Sequence, residues 1–250
     1  MAGHNKWSKV KHTKGPLDAK RGKLFSRLSR EITVAAKDGS GDPDLNARLR
    51  MAINSAKAQN MPGDTIERAI KKGTGEIEGA NYEHCVYEGY GPSGVALMID
   101  ILTENKNRAA ADVRSIFKKN HGSLGTSGSV AYLFDQKGEI HVSLAFCDEE
   151  QMLELALEAG AEDVAKDENQ HVISTAPDQL NAVANRLREL EVEVIAQQLV
   201  FRPQTTVELE DRSTANQVLH LYHALDDYDD SQNVFSNFDI PEGVMASIEQ

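Results

Sequence analysis

Lys6, Lys9, Lys11 and Lys14 recur every two or three residues around Trp7, the only tryptophan of the chain, and His12. Lys20, Arg21, Lys23, Arg27 and Arg30 continue the run. Ammonium and guanidinium groups at this density neutralise phosphates, and an extended basic arm can order along a groove or a single strand. The Trp7 and His12 rings offer faces on which unpaired bases stack, the mode typical of RNA and single-stranded targets. These eleven residues are the candidate nucleic-acid-binding set. The competing reading is a solubilising tail whose tryptophan packs on its own domain. A lone tryptophan among lysines argues for binding.

Charge distribution across the chain supports that choice. The 250 residues carry a formal net charge of -12, which conceals two blocks of opposite sign. Residues 1–72 hold ten Lys and six Arg against seven Asp/Glu, a net of +9, whereas residues 73–250 hold 11 basic against 32 acidic groups, a net of −21. A basic block beside an acidic one suggests different partners for each, with nucleic acid facing the basic part. Basic proteins are the natural counterpart of the acidic body.

Other constellations carry less. Arg108, Arg114, Lys118 and Lys119 fall on one predicted helix and could form a secondary basic face, or simply a solvated one. "GYGPSG" (89–94) matches G-x-G-x-x-G, but a strand rather than a helix follows, so it reads as a turn between strands. "GSLGTSGS" (122–129) lacks a Walker lysine and reads as a mobile loop without an assigned role. His220, His223 and Asp227 have helical spacing, yet one helix turn supplies too few ligands for a metal site. "DDYDD" (226–230) lacks the order of a calcium loop. Cys85 and Cys147 are too far apart in sequence and motif for a zinc ribbon or a disulfide framework, and read as two packed thiols. No nucleophile–base arrangement stands out, so no catalytic residue, metal or cofactor is expected. No apolar run reaches the roughly 18 residues of a membrane span, and the basic start lacks the core of a signal peptide, which predicts a cytoplasmic location.

The elements that must position these residues follow from periodicity. Leu17, Leu24, Leu28, Ile32 and Ala35 predict a first helix ended by Gly39. Asp42-Pro43 predicts the start of a second, with Leu45, Leu49, Ile53 and Ala56 on one face. "MPGDTIERAIKKG" predicts a third, with a capping box from Asp64 to Glu67 and a stop at Gly73. The β-rich runs "HCVYEGYG" and "GVALMIDIL", separated by Pro92-Ser93, then predict paired strands. A helix over 107–119 with Ala109, Val113, Ile116 and Phe117 inward follows, and then a strand "VAYLF". Residues 138–202 read β-α-β-β-α-β, the ferredoxin-like pattern. A strand "TVELE", a helix over 213–225 and a short strand near "NVFSNF" complete the chain. The expected fold is therefore multi-domain α and α+β. Residues 1–78 form the basic arm and a three-helix domain. Residues 79–136 plus 204–250 form a discontinuous α+β domain, and 137–203 a ferredoxin-like domain inserted in it.

Three segments together resemble one family: "GHNKWSKVKHTKG", "AKAQNMPGDTIERAIKKGTGE" and "YEGYGPSGVALMIDILTENKNRAAADVRSIFKKNHGSLGTSGSVAYLF". They are similar to the YebC/PmpR family over nearly the whole chain. One departure is Asn120-His121-Gly122, where members commonly have Asn-Gly-Gly. The resemblance implies a helical N-terminal domain plus two α+β domains, one inserted in the other, without catalytic residues or cofactor. It implies a cytoplasmic DNA-binding transcriptional regulator. The alternative it implies is a ribosome-associated translation factor, contacting ribosomal or messenger RNA and ribosomal proteins, that relieves stalling on proline-rich sequences. The oligomeric state stays open, with a monomer favoured.

Overall fold

The computed structural model describes residues 17–79, 81–167 and 169–248, with side chains from Arg21 onward. Three helices open it: α1 (Leu17–Asp38), α2 (Ala47–Ala58) and α3 (Gly63–Thr74). Their apolar stripes converge on one buried cluster, Ile32, Ala35 and Ala36 from α1, Leu49, Ile53 and Ala56 from α2, and Ile66 and Ala69 from α3. Phe25, Leu28 and Ile70 pack at its margin. α3 comes close to α1 at Gly73, where a Cβ would lie 2.4 Å from the Thr33 carbonyl oxygen and 2.7 Å from Ala36 Cβ. Gly73 therefore does not stop α3, as its place in the sequence suggested; it lets α3 lie against α1. The stop is Gly75, in the left-handed region at φ 81°.

The start of α2 shifts for a tertiary reason, and that of α3 lacks its predicted cap. Asp42 closes a turn instead, its Oδ1 accepting the Asp44 N–H at 2.9 Å. The cap of α2 is Asn46, whose Oδ1 accepts the Leu49 N–H at 3.0 Å while Nδ2 donates to the carbonyls of Ala35 and Ser40, both at 2.7 Å. One buried side chain thus finishes α1 and starts α2. Leu45, expected inside, precedes this joint and is 78% exposed. In α3 the capping box is not formed. Pro62 precedes the helix without a side-chain cap, and Asp64 bonds the adjacent Thr65 N–H.

Beyond the linker, β1 (Glu83–Tyr90) and β2 (Ala96–Thr103) form an antiparallel hairpin registered from Glu83↔Thr103 to Tyr90↔Ala96. Next come α4 (Lys106–Lys119), β3 (Ser123–Leu124), β4 (Phe134–Ser143), α5 (Glu149–Ala159), β5 (Asp163–Lys166), β6 (Gln170–Thr175), α6 (Leu180–Glu189) and β7 (Val194–Pro203). The remainder is β8 (Val207–Glu208), α7 (Arg212–Asp226), β9 (Ser231–Ser236), β10 (Phe238–Asp239) and α8 (Glu242–Ile248). One sheet has the order β3-β1-β2-β9, a second the order β5-β6-β4-β7, and β8 pairs with β10 in parallel. Ala109, Val113 and Phe117 of α4 are fully buried, as period 3.6 requires, while Ile116 is half-buried.

The described residues divide into two compact units, one holding 17–79 with 136–201, the other 81–135 with 202–248. The neighbouring strands β4 and β7 run from one unit into the other, so residues 136–201 leave and return side by side. In the first unit, Ile140, Val142 and Ile173 of the sheet meet Met152 and Ala156 of α5 and Leu180, Val183 and Leu187 of α6. Met51 of α2 packs on this second cluster, joining it to the helical residues.

Candidate nucleic-acid interface

The arm residues Lys6, Trp7, Lys9, Lys11, His12 and Lys14 lie outside the described residues, and Lys20 belongs to α1 with its side chain outside them. What the structure places is the helix that follows them in the chain. α1 is a 22-residue helix fixed by its inner stripe to α2 and α3. Arg21 is exposed, with its guanidinium carbon 5.5 Å from the Phe25 ring centre, which orients it by a cation–π contact. Lys23, Arg27 and Arg30, at i, i+4 and i+7, share one helix face. All three are half-buried and none is without a partner, so they are not a freely projecting ridge. Arg48 Nε and Nη1 bind Glu31 at 2.9 Å and Asp38 at 3.1 Å, tying α2 to α1 rather than offering a phosphate contact.

The secondary set on α4 is split. Arg108 Nη2 donates to Asp230 Oδ2 at 2.6 Å, a carboxylate that also accepts from Thr103 Oγ1 at 2.8 Å. That arginine is committed to an internal network that continues through Tyr228, whose hydroxyl is pushed up by burial and by Asp230 and Asp112. Arg114 and Lys118, four apart, share an exposed face, and Lys119 projects elsewhere. Cations that the sequence reading did not single out include Arg50 and Lys57 on α2 and Arg68 and Lys72 on α3, all exposed. Their signal was present in the spacing of Arg50, Asn54 and Lys57 along one face of α2.

In the glycine-rich loop at 122–129 and the residues just after it, backbone N–H groups that could meet a phosphate are taken up internally. The N–H groups of Gly128, Val130 and Ala131 donate to the carboxylate of Glu88 at 2.7, 2.8 and 2.9 Å. Gly125 N–H donates to the Glu88 carbonyl at 2.7 Å, and the Tyr90 hydroxyl to the Ser129 carbonyl at 2.7 Å. An internal carboxylate thus occupies the donors a phosphate would need, and the expected mobile loop is instead fastened to β1. Burial would raise the Glu88 pKa, but the three backbone donors outweigh it and hold the carboxyl below its usual range. The same capture explains why "VAYLF" is no strand. With the N–H groups of Val130 and Ala131 turned to Glu88, Ala131–Leu133 makes a 3-10 turn and β4 begins at Phe134.

At the end of α4, His121 takes φ 60°, the left-handed conformation that glycine favours, and Gly122 N–H donates to the Phe117 carbonyl at 2.8 Å. This is the six-residue closing bond of a helix end, built on histidine. Asp227 ends α7, its N–H bound to the His223 carbonyl at 2.7 Å. Among the described residues no group of three His, Cys, Asp or Glu is placed to hold a metal ion. Cys85 and Cys147 are unpaired thiols, and burial raises both above the usual value, which disfavours the reactive thiolate. No helix among the described residues is long and apolar enough to cross a membrane.

Comparison with known proteins matches residues 5–76 to the TACO1/YebC protein N-terminal domain and residues 82–238 to the TACO1/YebC second and third domain. The chain belongs to the TACO1/YebC family. A relative from Desulfatibacillum aliphaticivorans is 54% identical over 98% of this chain and 99% of its own length. One from Halothermothrix orenii is 51% identical over 99% of both. Each of these relatives is named a probable transcriptional regulatory protein. A crystal structure of a conserved hypothetical protein from Aquifex aeolicus superposes with a TM-score of 0.87 at 49% identity, covering 94% of this chain and 97% of that one. The family fold is thus a three-helix N-terminal domain followed by an α+β region with two antiparallel sheets, as the sequence implied.

Proposed function

We propose that this member of the TACO1/YebC family is a non-enzymatic, DNA-binding regulator of transcription acting in the cytoplasm through its basic N-terminal domain. The observation that carries the reading is the segregation of charge. A net of +9 is concentrated on residues 1–72, whose described part is a three-helix scaffold, while residues 73–250 carry −21. The scaffold gives the arm a rigid origin, and the acidic remainder is repelled from the phosphates. The names of the relatives support regulation of transcription. We further read residues 137–203 as a ferredoxin-like domain inserted into a discontinuous α+β domain of 79–136 plus 204–250. The element order β4-α5-β5-β6-α6-β7 and the strand order β5-β6-β4-β7 support this. Replacing Lys6, Lys9 and Lys11 by Glu reverses three charges and should weaken binding to duplex DNA on the order of 10²-fold in fluorescence anisotropy. Affinity unchanged by that triple substitution overturns the reading.

Trp7 favours a second reading, an RNA-contacting translation factor on the ribosome. Stacking on splayed bases is an RNA mode, and the −21 body suits basic ribosomal proteins. Cosedimentation with ribosomal particles in lysate, lost in the same triple variant, would select it over transcription.

A further inference from the structure

Arg188 of α6 is held in an unusual way for a cation in an acidic segment. Residues 136–201 contain four basic and fourteen acidic side chains. Lys137 pairs with Glu162 and Arg186 with Glu189. Arg188 has no such partner. Its Nη2 donates to Gln197 Oε1 at 2.7 Å and its Nη1 to Asn185 Oδ1 at 3.1 Å, and Gln197 is itself fixed by donating to Asn181 Oδ1 at 2.9 Å. Neutral amides therefore orient the guanidinium without discharging it. Arg50 of α2 is close enough for its charge to act on Arg188, and its neighbour Met51 packs on the cluster that includes Leu187 and Leu190, which brings α2 to α6. Among the described residues neither arginine has a carboxylate within ion-pair distance. Burial first, and then the Arg50 charge, depress the basicity of Arg188. Two like charges near enough to disfavour one another, with no carboxylate between them, form an arrangement that an oxyanion relieves.

We propose that Arg50 and Arg188 together bind a backbone phosphate of the nucleic acid, so that the path from the helical domain continues onto the acidic α+β segment. The inference rests on the nucleic-acid-binding reading above and extends its footprint beyond the arm and α1. Asn54 and Lys57, four and seven residues beyond Arg50 on the same exposed face of α2, continue the track. Planar guanidiniums presenting paired N–H donors suit a phosphodiester better than a point charge would.

The test uses the full chain and two probes, a fluorescein-labelled single-stranded RNA and a labelled duplex DNA, titrated at several salt concentrations. Arg50→Gln or Arg188→Gln should weaken binding about tenfold and reduce the salt slope by roughly 0.7 on the single strand or 0.9 on the duplex. The double variant should lose less than the product of the two, because both groups serve one phosphate. Gln197→Glu discharges Arg188 in place, and the exposed Asn181 can turn its amide toward the new carboxylate. It should weaken binding as Arg188→Gln does without lowering the unfolding midpoint, a combination that a merely structural role for Arg188 would not produce. Wild-type affinity and slope in these variants, with binding still lost in the Lys6/Lys9/Lys11→Glu protein, overturn this site and leave the general reading standing. Binding that survives the arm substitutions overturns the general reading instead. If millimolar inorganic phosphate raises the unfolding midpoint of wild type but not of Arg188→Gln while nucleic-acid binding is unchanged in all variants, the site holds a small anion and the proposal falls.

Discussion

Replacing Glu88 by Gln isolates the internal carboxylate that shapes the glycine-rich loop. Glu88 is 5% exposed and accepts one N–H through Oε1, from Gly128, and two through Oε2, from Val130 and Ala131. A glutamine keeps the most bonds by leaving its oxygen on the two-donor side, which turns its NH2 against the Gly128 N–H. One bond to a charged acceptor disappears and two lose their charge, a cost of about 3 kcal/mol. Because opening of the loop is local, the assay is hydrogen exchange at residues 122–133. Protection should fall on the order of 10²-fold at neutral pH, the equivalent of that energy. The sign of the pH dependence follows from the depressed folded pKa. The contribution is complete above the unfolded value of about 4.3 and is lost as pH falls through the lower folded value. Wild type and variant should therefore converge in acid. Protection within about twofold of wild type at neutral pH, or a gap between the proteins that widens on acidification, would refute the reasoning.

Three further outcomes follow from the same structure. Asn46→Ala removes a helix cap and leaves the carbonyls of Ala35 and Ser40 without their donor, and should cost about 3 kcal/mol in chemical denaturation of the helical domain. His121→Gly relieves a left-handed backbone at φ 60° and should stabilise the end of α4 by about 0.5–1 kcal/mol after the entropy of glycine is subtracted, read as slower exchange at Gly122 N–H. Trp7→Ala should leave duplex DNA binding within about twofold, since phosphate contacts dominate there. Weakened binding to single-stranded RNA alone would favour translation over transcription.

The elements legible in the sequence were those whose period is set by one buried face. The stripe Ala109, Val113 and Phe117, the β-rich runs of β1 and β2, and the β-α-β-β-α-β order after residue 138 each carry their own pattern. The misplaced boundaries depend on distant partners. Asp42-Pro43 had a good local start signal, but Asn46 was drawn into closing α1 as well. "VAYLF" had strand propensity, but Glu88, some forty residues earlier in the chain, took its N–H groups. Gly73 looked like a stop because nothing local reveals that Thr33 and Ala36 lie against it. The charge density of residues 1–16 is a local signal, but those residues lie outside the described ones. The proposed extension to Arg188 has no local signal, since α2 comes to the α5 and α6 cluster through the packing of Met51.

The central claim is that the basic N-terminal domain binds nucleic acid by neutralising phosphates. The direct measurement is the affinity of the full chain for duplex DNA as a function of salt. With about five phosphates neutralised by the arm and α1, the logarithm of the association constant should fall against the logarithm of salt concentration with a slope of roughly −4 to −5. An affinity that does not change with salt, or no binding at low salt, would contradict the account.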